Sequence, residues 1–173
     1  MAENIRPDLK IQKGEISMGI EIRKFQQQDI SQAVDLCDEI REYHRNILNG
    51  YFAPINRDFE KNALLETLKN DSAFALVAVA DDNVVGLLIA HKKIAPYLEK
   101  QIVCNIGTLG VTKKYRKQGI GQKLMKRFLE LCKEQGIQEI KLGVFNDNQI
   151  AYRFYEDFGF TPQQQTMSLK ITD

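Results

Sequence analysis

Between Arg116 and Gln122 the sequence runs Arg-Lys-Gln-Gly-Ile-Gly-Gln. It lies behind an apolar stretch ending at Leu109-Gly110-Val111 and ahead of Ile120, Leu124, Phe128, Leu131 and Cys132 at helical spacing. Read as strand, glycine turn and helix, this stretch is suited to holding an anion. The first backbone N–H groups of a helix have no partner inside it. They also lie at the positive end of its dipole, where a phosphate gains donors and favourable charge together. Gly119 and Gly121 lack side chains, so the backbone can approach the anion closely. Arg116, Lys117 and Lys123 add mobile positive charge, and Gln118, Ile120 and Gln122 supply further N–H groups.

Other chemistry-bearing residues are fewer. Cys37, Cys104 and Cys132 show no metal-ligand spacing and sit in apolar contexts, as buried free thiols in a reducing cytosol would. No neighbouring base marks any of them as a nucleophile. His44 continues the apolar stripe of Ile30, Ala33, Val34, Cys37 and Ile40, which accounts for it as a satisfied, partly buried ring. His91 precedes Lys92-Lys93 and is expected at a solvent-facing strand end. Tyr155 and Asn148 fall on one short helical segment. On its own the first reads as a packing aromatic, and a helix N-cap suits the second as well as a ligand contact does.

With 173 residues, the chain is expected to be one domain with a substantial core. A hydrophobic fraction of 43% and a charged fraction of 27% belong to an ordinary soluble protein. The net charge of +1 gives no reason to expect nucleic acid or membrane as partner. Lysines and arginines do run from Lys113 to Arg127 without an intervening acid; Lys126 and Arg127 read as a solvated helix face, Arg116 and Lys117 as phosphate contacts. No apolar run approaches the ~20 residues of a membrane span. Residues 1–18 are polar and lack the apolar core of a secretory signal, so they are expected to be an arm or leader ahead of a domain over 19–173, in the cytoplasm.

The elements that must position these residues follow from patterning. Gly19–Phe25 alternates as a first strand, and Asp29 is expected to cap a helix reaching about Leu48, with Gln32 as its capping-box partner. Asp58 is expected to cap a second helix with the stripe Leu64, Leu65 and Leu68. Strands follow over Phe74–Val79, Val84–Ile89 and about Ile102–Val111, the first two joined by a turn at Asp81-Asp82-Asn83. After the glycine turn come a helix ended by Gly136, a strand over Ile137–Phe145, a helix over Asn148–Phe158 and a last strand over Thr166–Ile171. The order β, α, α, β, β, β, α, β, α, β describes one mixed α/β domain.

Two familiar phosphate motifs fail on particular residues. A triphosphate loop needs Lys-Ser/Thr after Gly121, where Gln122-Lys123 stands. A dinucleotide fingerprint needs a third glycine at Leu124 and an acid at the end of the next strand, whereas Glu139 lies near its start. What fits is Arg116-x-x-Gly119-x-Gly121 followed by Asn148-x-x-Ala151-x-x-x-Tyr155-x-x-x-Gly159-Phe160. This pair, in this order, closely resembles the GNAT superfamily of acetyl-CoA-dependent N-acetyltransferases, over about Gly19 to Ile171.

The resemblance implies a largely antiparallel twisted sheet of about six to seven strands, flanked by four helices and splayed at the acyl-CoA-binding strand. It implies that residues 116–122 hold the pyrophosphate of acetyl-CoA, and that Leu109, Gly110 and Val111 bind the pantetheine arm and acetyl carbonyl through their backbone. Gly107 and Gly110 suit such an irregular strand, and close packing explains them equally. Asn148 and Ala151 would contact the cofactor, and Tyr155 would protonate the departing sulfur while an N–H near Val111 polarises the carbonyl. The strand Glu that serves some branches as base is Asn105 here, and Glu42, His44, His91 or a water remain as candidates.

The expected activity is transfer of an acetyl group to a primary amine of a small molecule or protein, by a monomer or homodimer. A catalytically inactive acyl-CoA-binding module is the alternative, and nucleic-acid binding through the Lys113–Arg127 run a weaker one. Loops near Tyr51-Phe52 and Pro96-Tyr97 are expected to shape the acceptor site. Glu39, Glu42 and Glu99 offer an acidic cleft for a polyamine, aminoglycoside or lysine, or are scattered surface acids.

Overall fold

Ala73–Ala80 reads Ala-Phe-Ala-Leu-Val-Ala-Val-Ala, with no polar residue on either alternation, as a strand covered on both faces must. The computed structural model, which describes residues 19–95, 101–169 and 171, shows this strand inside a five-stranded sheet. The strands are β1 (Glu21–Lys24), β2 (Ala73–Ala80), β3 (Asn83–Ala95), β4 (Gln101–Val111) and β5 (Glu139–Leu142), in spatial order 1-2-3-4-5. All pairs are antiparallel except β4 with β5, which are parallel. The parallel pair needs a crossover, and α3 (Ile120–Glu134) supplies it. The hairpin between β2 and β3 turns on Asp81 and Asp82 with φ of 48° and 60°, the left-handed pair that a two-residue turn requires.

The sheet separates two cores. On one face α1 (Ile30–Ile47) and α2 (Arg57–Lys69) bury Ile30, Ala33, Val34, Leu36 and Leu64 against Ala75, Val77, Leu87 and Ile89. On the other, α3 buries Ile120, Leu124, Met125 and Phe128 against Phe74, Leu76, Ala78 and Leu88. The short α4 (Gln149–Asp157) packs at the edge of this second core through Phe154, Tyr155 and Phe158.

Several expectations change. Asp29 stands at the N-cap position of α1 without capping it. Its buried carboxylate instead accepts two bonds from the Arg23 guanidinium, at 2.7 and 2.8 Å, and one from the Gln26 N–H at 2.8 Å, closing a capping box on a short 3₁₀ turn. Gln32 does not serve as its box partner, because its Oε1 accepts the Val84 N–H and ties α1 to the β2–β3 hairpin. Asn56 rather than Asp58 caps α2, accepting from the Phe59 N–H at 3.0 Å. β5 is shorter than expected: the Ile137 N–H closes the end of α3 on Cys132 O, and the ladder with β4 runs only from Glu139 to Leu142.

The expected strand over 166–171 is absent from the described residues of that segment. Met167, Leu169 and Ile171 alternate as a strand would but stand exposed, with no ladder to hold them. The sheet therefore has five described strands rather than six or seven. The expected arm over 1–18, the loop at Pro96-Tyr97 and Glu99 lie outside the described residues.

The Arg23–Asp29 pair sets a testable stability term. Burial alone would raise the Asp29 pKa, but the guanidinium and the Gln26 N–H together outweigh it and hold the carboxyl below its ordinary value. A carboxyl depressed in this way stabilises the fold above its unfolded pKa, near 3.9, and the contribution is lost as pH falls through the folded value. Breaking a fully buried pair costs ~3–5 kcal/mol. The Arg23 end keeps some water contact, so Asp29→Asn is expected to cost about 2–3 kcal/mol at pH 7. Thermal melts of both proteins should show this gap at pH 7 and its narrowing below about pH 3.5.

Candidate active site

β4 parts from β5 halfway along. β5 pairs with Val103, Cys104, Asn105 and Ile106 and then stops, so residues 107–111 have β3 on one side and no strand on the other. The opening begins at a register shift against β3, where Ile89 faces Thr108 and Ala90 faces Ile106, leaving Gly107 as the extra residue of a bulge. Beyond it the Thr112 N–H donates to Val85 O at 2.9 Å, which makes Val111–Gly86 a non-hydrogen-bonded pair. The backbone groups of Leu109 and Val111 therefore point to the open side, while those of Gly110 point to Leu87 on β3. Gly110 has a packing role instead: a Cβ there would lie 2.2 Å from Ile40 Cδ1 on α1.

The turn after β4 is tied down from α1. Glu39 Oε1 accepts both the Lys113 N–H and the Arg116 guanidinium, the latter at 3.0 Å. Arg116 Nε also donates to Val111 O at 2.8 Å, and its guanidinium lies 5.2 Å from the centre of the Tyr43 ring. Arg116 is thus a fixed strut, not the mobile cation its sequence context suggested. Lys117 and Lys123 are exposed cations without an ion-pair partner among the described residues.

Lys117 has φ of 61° and Gly119 has φ of 77°. Glycine takes that left-handed conformation freely; for lysine it costs roughly 1–2 kcal/mol. What the strained turn achieves is a row of free donors. Among the described residues, the backbone N–H groups from Lys117 through Gln122 donate to no protein acceptor, and the first inward bond of α3 is Lys123 N–H to Gly119 O at 3.0 Å. Such a row at a helix start has the donors and the dipole that suit an anion.

Beside the splay lies a cavity of about 280 Å³. One face of α1 contributes Cys37, Ile40, Arg41 and His44, spaced to share a helix face; β4 contributes Ile106 to Leu109. The stretch after β5 contributes Gly143 to Phe145, and α4 contributes Asn148, Ala151 and Tyr155 at positions i, i+3 and i+7. The mouth is aromatic: Tyr51, Phe52 and Phe145 contact one another edge to face, with centroids 5.2 to 5.6 Å apart.

Asn148 is 7% exposed and caps α4, its Oδ1 accepting the Ala151 N–H at 3.2 Å. Its carboxamide also meets Tyr43 Oη at 3.5 Å and His44 Nε2 at 3.3 Å. The Tyr155 hydroxyl has no hydrogen-bond partner among the described residues, and burial pushes its pKa up to about 12, so it stays a phenol. Burial, reinforced by Glu60, pushes the Cys37 thiol up to about 12 as well, which keeps this cavity-lining thiol protonated and poor as a nucleophile. Burial and then the Arg41 charge lower the His44 pKa, favouring a neutral ring.

Of the expected site residues, Leu109, Asn148, Ala151 and Tyr155 meet at the cavity, and residues 117–122 form the donor row. His91 is not at a strand end but inside β3, opposite Asn105, and neither lines the cavity. Glu39 and Glu42 do share a depression, with Asp35, Asp38 and Arg57, but it is separate from the cavity; Glu39 also holds the turn, and Glu42 pairs with Arg45 at 3.4 Å. Sequence reasoning missed Tyr43, Arg41, Glu60 and Phe145. The helical spacing of Cys37, Arg41 and His44 was visible, but which strand they faced was not. Among the described residues no helix is long and apolar enough to cross a membrane, and no side-chain cluster is placed to hold a metal ion.

With this geometry described, comparisons with known proteins agree in kind. The model of the family described as "Acetyltransferase (GNAT) family" matches residues 34–160. An uncharacterized N-acetyltransferase of Archaeoglobus fulgidus is 32% identical over 123 residues, covering 70% of this chain and 83% of that protein. N-alpha-acetyltransferase 30 of Schizosaccharomyces pombe is 36% identical over 87 residues, covering 50% of this chain. The match spans 57% of the fission-yeast protein, and 50% of the similar N-alpha-acetyltransferase 50 of Danio rerio. Among solved structures, the tetramutant of the BH1408 protein from Bacillus halodurans has a TM-score of 0.80 at 22% identity, covering 87% of this chain and 99% of that one. An aminoglycoside acetyltransferase, meta-AAC0020, from an uncultured soil metagenomic sample has a TM-score of 0.67 at 21% identity, covering 91% and 99%. At these identities the structural likenesses speak for the fold alone.

Proposed function

The chain belongs to the acetyltransferase (GNAT) family, and from that premise we propose that it transfers the acetyl group of acetyl-CoA directly to a primary amine. The observation that carries this is the row of six unpartnered N–H groups beside a strand that opens into a cavity holding Tyr155. Lys117 to Gln122 hold the pyrophosphate through their backbone, with Lys117 and Lys123 as screening cations. Leu109 and Val111 turn backbone groups to the pantetheine arm and acetyl carbonyl. Arg116 already occupies Val111 O, which leaves the Val111 N–H to polarise the carbonyl. Asn148 acts first as the cap that fixes α4, and with it Ala151 and Tyr155; both ends of its carboxamide have protein partners, so a cofactor contact is secondary. Tyr155 donates to the departing sulfur. The protonated Cys37 thiol favours direct transfer over an acetyl-enzyme route.

For the acceptor, the aromatic mouth, and the position of Glu39 and Glu42 outside the cavity, favour an amine attached to an apolar group over a polycation. The N-alpha-acetyltransferase names among the relatives support a polypeptide N-terminus as the first acceptor to try. The test is calorimetric titration with acetyl-CoA, NADH and ATP, followed by thiol release with short peptides as acceptors. Acetyl-CoA alone is expected to bind, and peptides with an apolar first residue are expected to release free CoA. A folded protein that binds no acetyl-CoA would sink the reading.

A further inference from the structure

We propose that His44, facing the cavity from α1, is the general base that takes the proton from the acceptor ammonium. This rests on the acetyl-transfer reading above and supplies the group that Asn105, outside the cavity, does not.

The hydrogen-bond network assigns the ring's tautomer. Asn148 Oδ1 accepts the Ala151 N–H at 3.2 Å and lies 3.5 Å from the Tyr43 hydroxyl, so the carboxamide nitrogen is the atom turned to His44, 3.3 Å from Nε2. A carboxamide nitrogen only donates. Nε2 must then carry the lone pair and Nδ1 the proton; an imidazolium would set donor against donor. Burial and the neighbouring Arg41 charge act in the same direction. The other titratable groups facing the cavity are Cys37 on α1, whose thiol stays protonated, Glu60 on α2, which pairs with Arg41 at 3.9 Å, and Tyr155 on α4, which stays a neutral phenol. The Tyr43 and Phe52 rings pack beside the imidazole, with centroids at 5.7 and 6.0 Å. The 3.3 Å contact is longer than a strong hydrogen bond, and a charge-assisted bond from an ammonium is roughly twice as strong as a neutral one. An entering ammonium can therefore displace the Asn148 amide from Nε2.

The protons balance. His44 Nε2 accepts one proton from the ammonium, freeing the nitrogen lone pair. The nitrogen–carbon bond to the acetyl group forms and the carbon–sulfur bond breaks. Tyr155 gives its proton to sulfur and is refilled by a second proton from nitrogen. His44 then releases its proton to water. The products are the amide, free CoA thiol and one proton.

The test uses His44→Gln, whose Oε1 can still accept from Asn148. It is expected to lower kcat about 100-fold, at the lower end of general base effects, with acetyl-CoA affinity within about twofold. The wild-type kcat should be level from the neutral range down through about pH 6.5, the ordinary histidine value, and fall only below it, because burial and Arg41 lower the His44 pKa. The variant should lack that plateau and rise with pH across the neutral range. Added imidazole should restore part of the activity of His44→Ala. Independently of turnover, ¹⁵N NMR of the resting protein at pH 7 should show the proton on Nδ1. A His44→Gln enzyme as fast as an active wild type, or a proton on Nε2, overturns this assignment alone. A wild type that transfers acetyl to no amine overturns the acetyl-transfer reading and this one together.

Discussion

Gly121→Asp is expected to remove acetyl-CoA binding while leaving a folded protein. The two halves of that expectation rest on different facts. Gly121 lies in the first turn of α3, and its φ is outside the left-handed region, so an ordinary residue can adopt its backbone. A Cβ built there comes within 3.4 Å of the Phe154 ring, an ordinary van der Waals contact. Folding therefore tolerates a side chain at this position. Binding should not, because the Gly121 N–H is one of the six free donors proposed to hold the pyrophosphate, and a carboxylate there would oppose that charge. Two unit charges about 4 Å apart at an effective dielectric constant of 20 repel by about 4 kcal/mol. That corresponds to a loss of affinity of about a thousandfold. Two companions separate the causes. Gly121→Asn has the same bulk without charge and should bind more tightly than the Asp variant. Gly121→Ala should melt no lower than wild type, since alanine loses less chain entropy on helix formation. Calorimetry on the three proteins measures the series. Normal acetyl-CoA affinity in a folded Asp variant would mean that the donor row serves something else.

How much of this was legible in the sequence depended on the range of the interaction. The glycine turn, the α3 stripe and the hairpin at Asp81-Asp82 are set by neighbours along the chain, and the structure has them where the pattern put them. The splay at β4 was foreseen from the family resemblance and from Gly107 and Gly110. The structure separates those two glycines, one as a bulge and the other as clearance for Ile40. The failures are long-range. Asp29 looks like a cap from its own neighbourhood, and only the fold brings Arg23 against it. Glu39 and Arg116 are 77 residues apart, so nothing local says that the motif arginine is held by α1. His44 is equally opaque. Its place on an apolar stripe predicts burial, and only the meeting of α1 with the start of α4 shows that its lone pair faces Asn148.

Tyr155→Phe is the second large effect, and it falls on rate instead of affinity. The phenol lines the cavity with no protein partner among the described residues, so its removal orphans no buried group and should leave stability near wild type. Acetyl-CoA affinity should stay within about twofold, because the donor row and β4 are untouched. Turnover should drop about 100-fold, or about 2.7 kcal/mol of barrier, the lower end for a positioned proton donor. The lower end is the right choice because burial pushes the phenol up to about 12, well above the roughly 8.5 of a thiol. Full transfer of its proton to sulfur is uphill unless nitrogen gives up a proton in the same step. The transfer to sulfur therefore proceeds only as nitrogen supplies the replacement proton, which limits what the hydroxyl takes off the barrier. The same burial fixes the sign of a pH effect. The neutral phenol is the active form, so activity that depends on it persists as pH rises and declines only towards about 12. An ordinary phenol would begin to fail near pH ~10. A wild-type kcat profile still level at about pH 9.5, with a Phe variant reduced equally from about pH 7 to 9.5, is the expected outcome. A basic limb centred near pH ~10 in wild type, absent from the variant, would mean that Tyr155 titrates as an exposed phenol. An unchanged kcat in the variant would remove it from the mechanism.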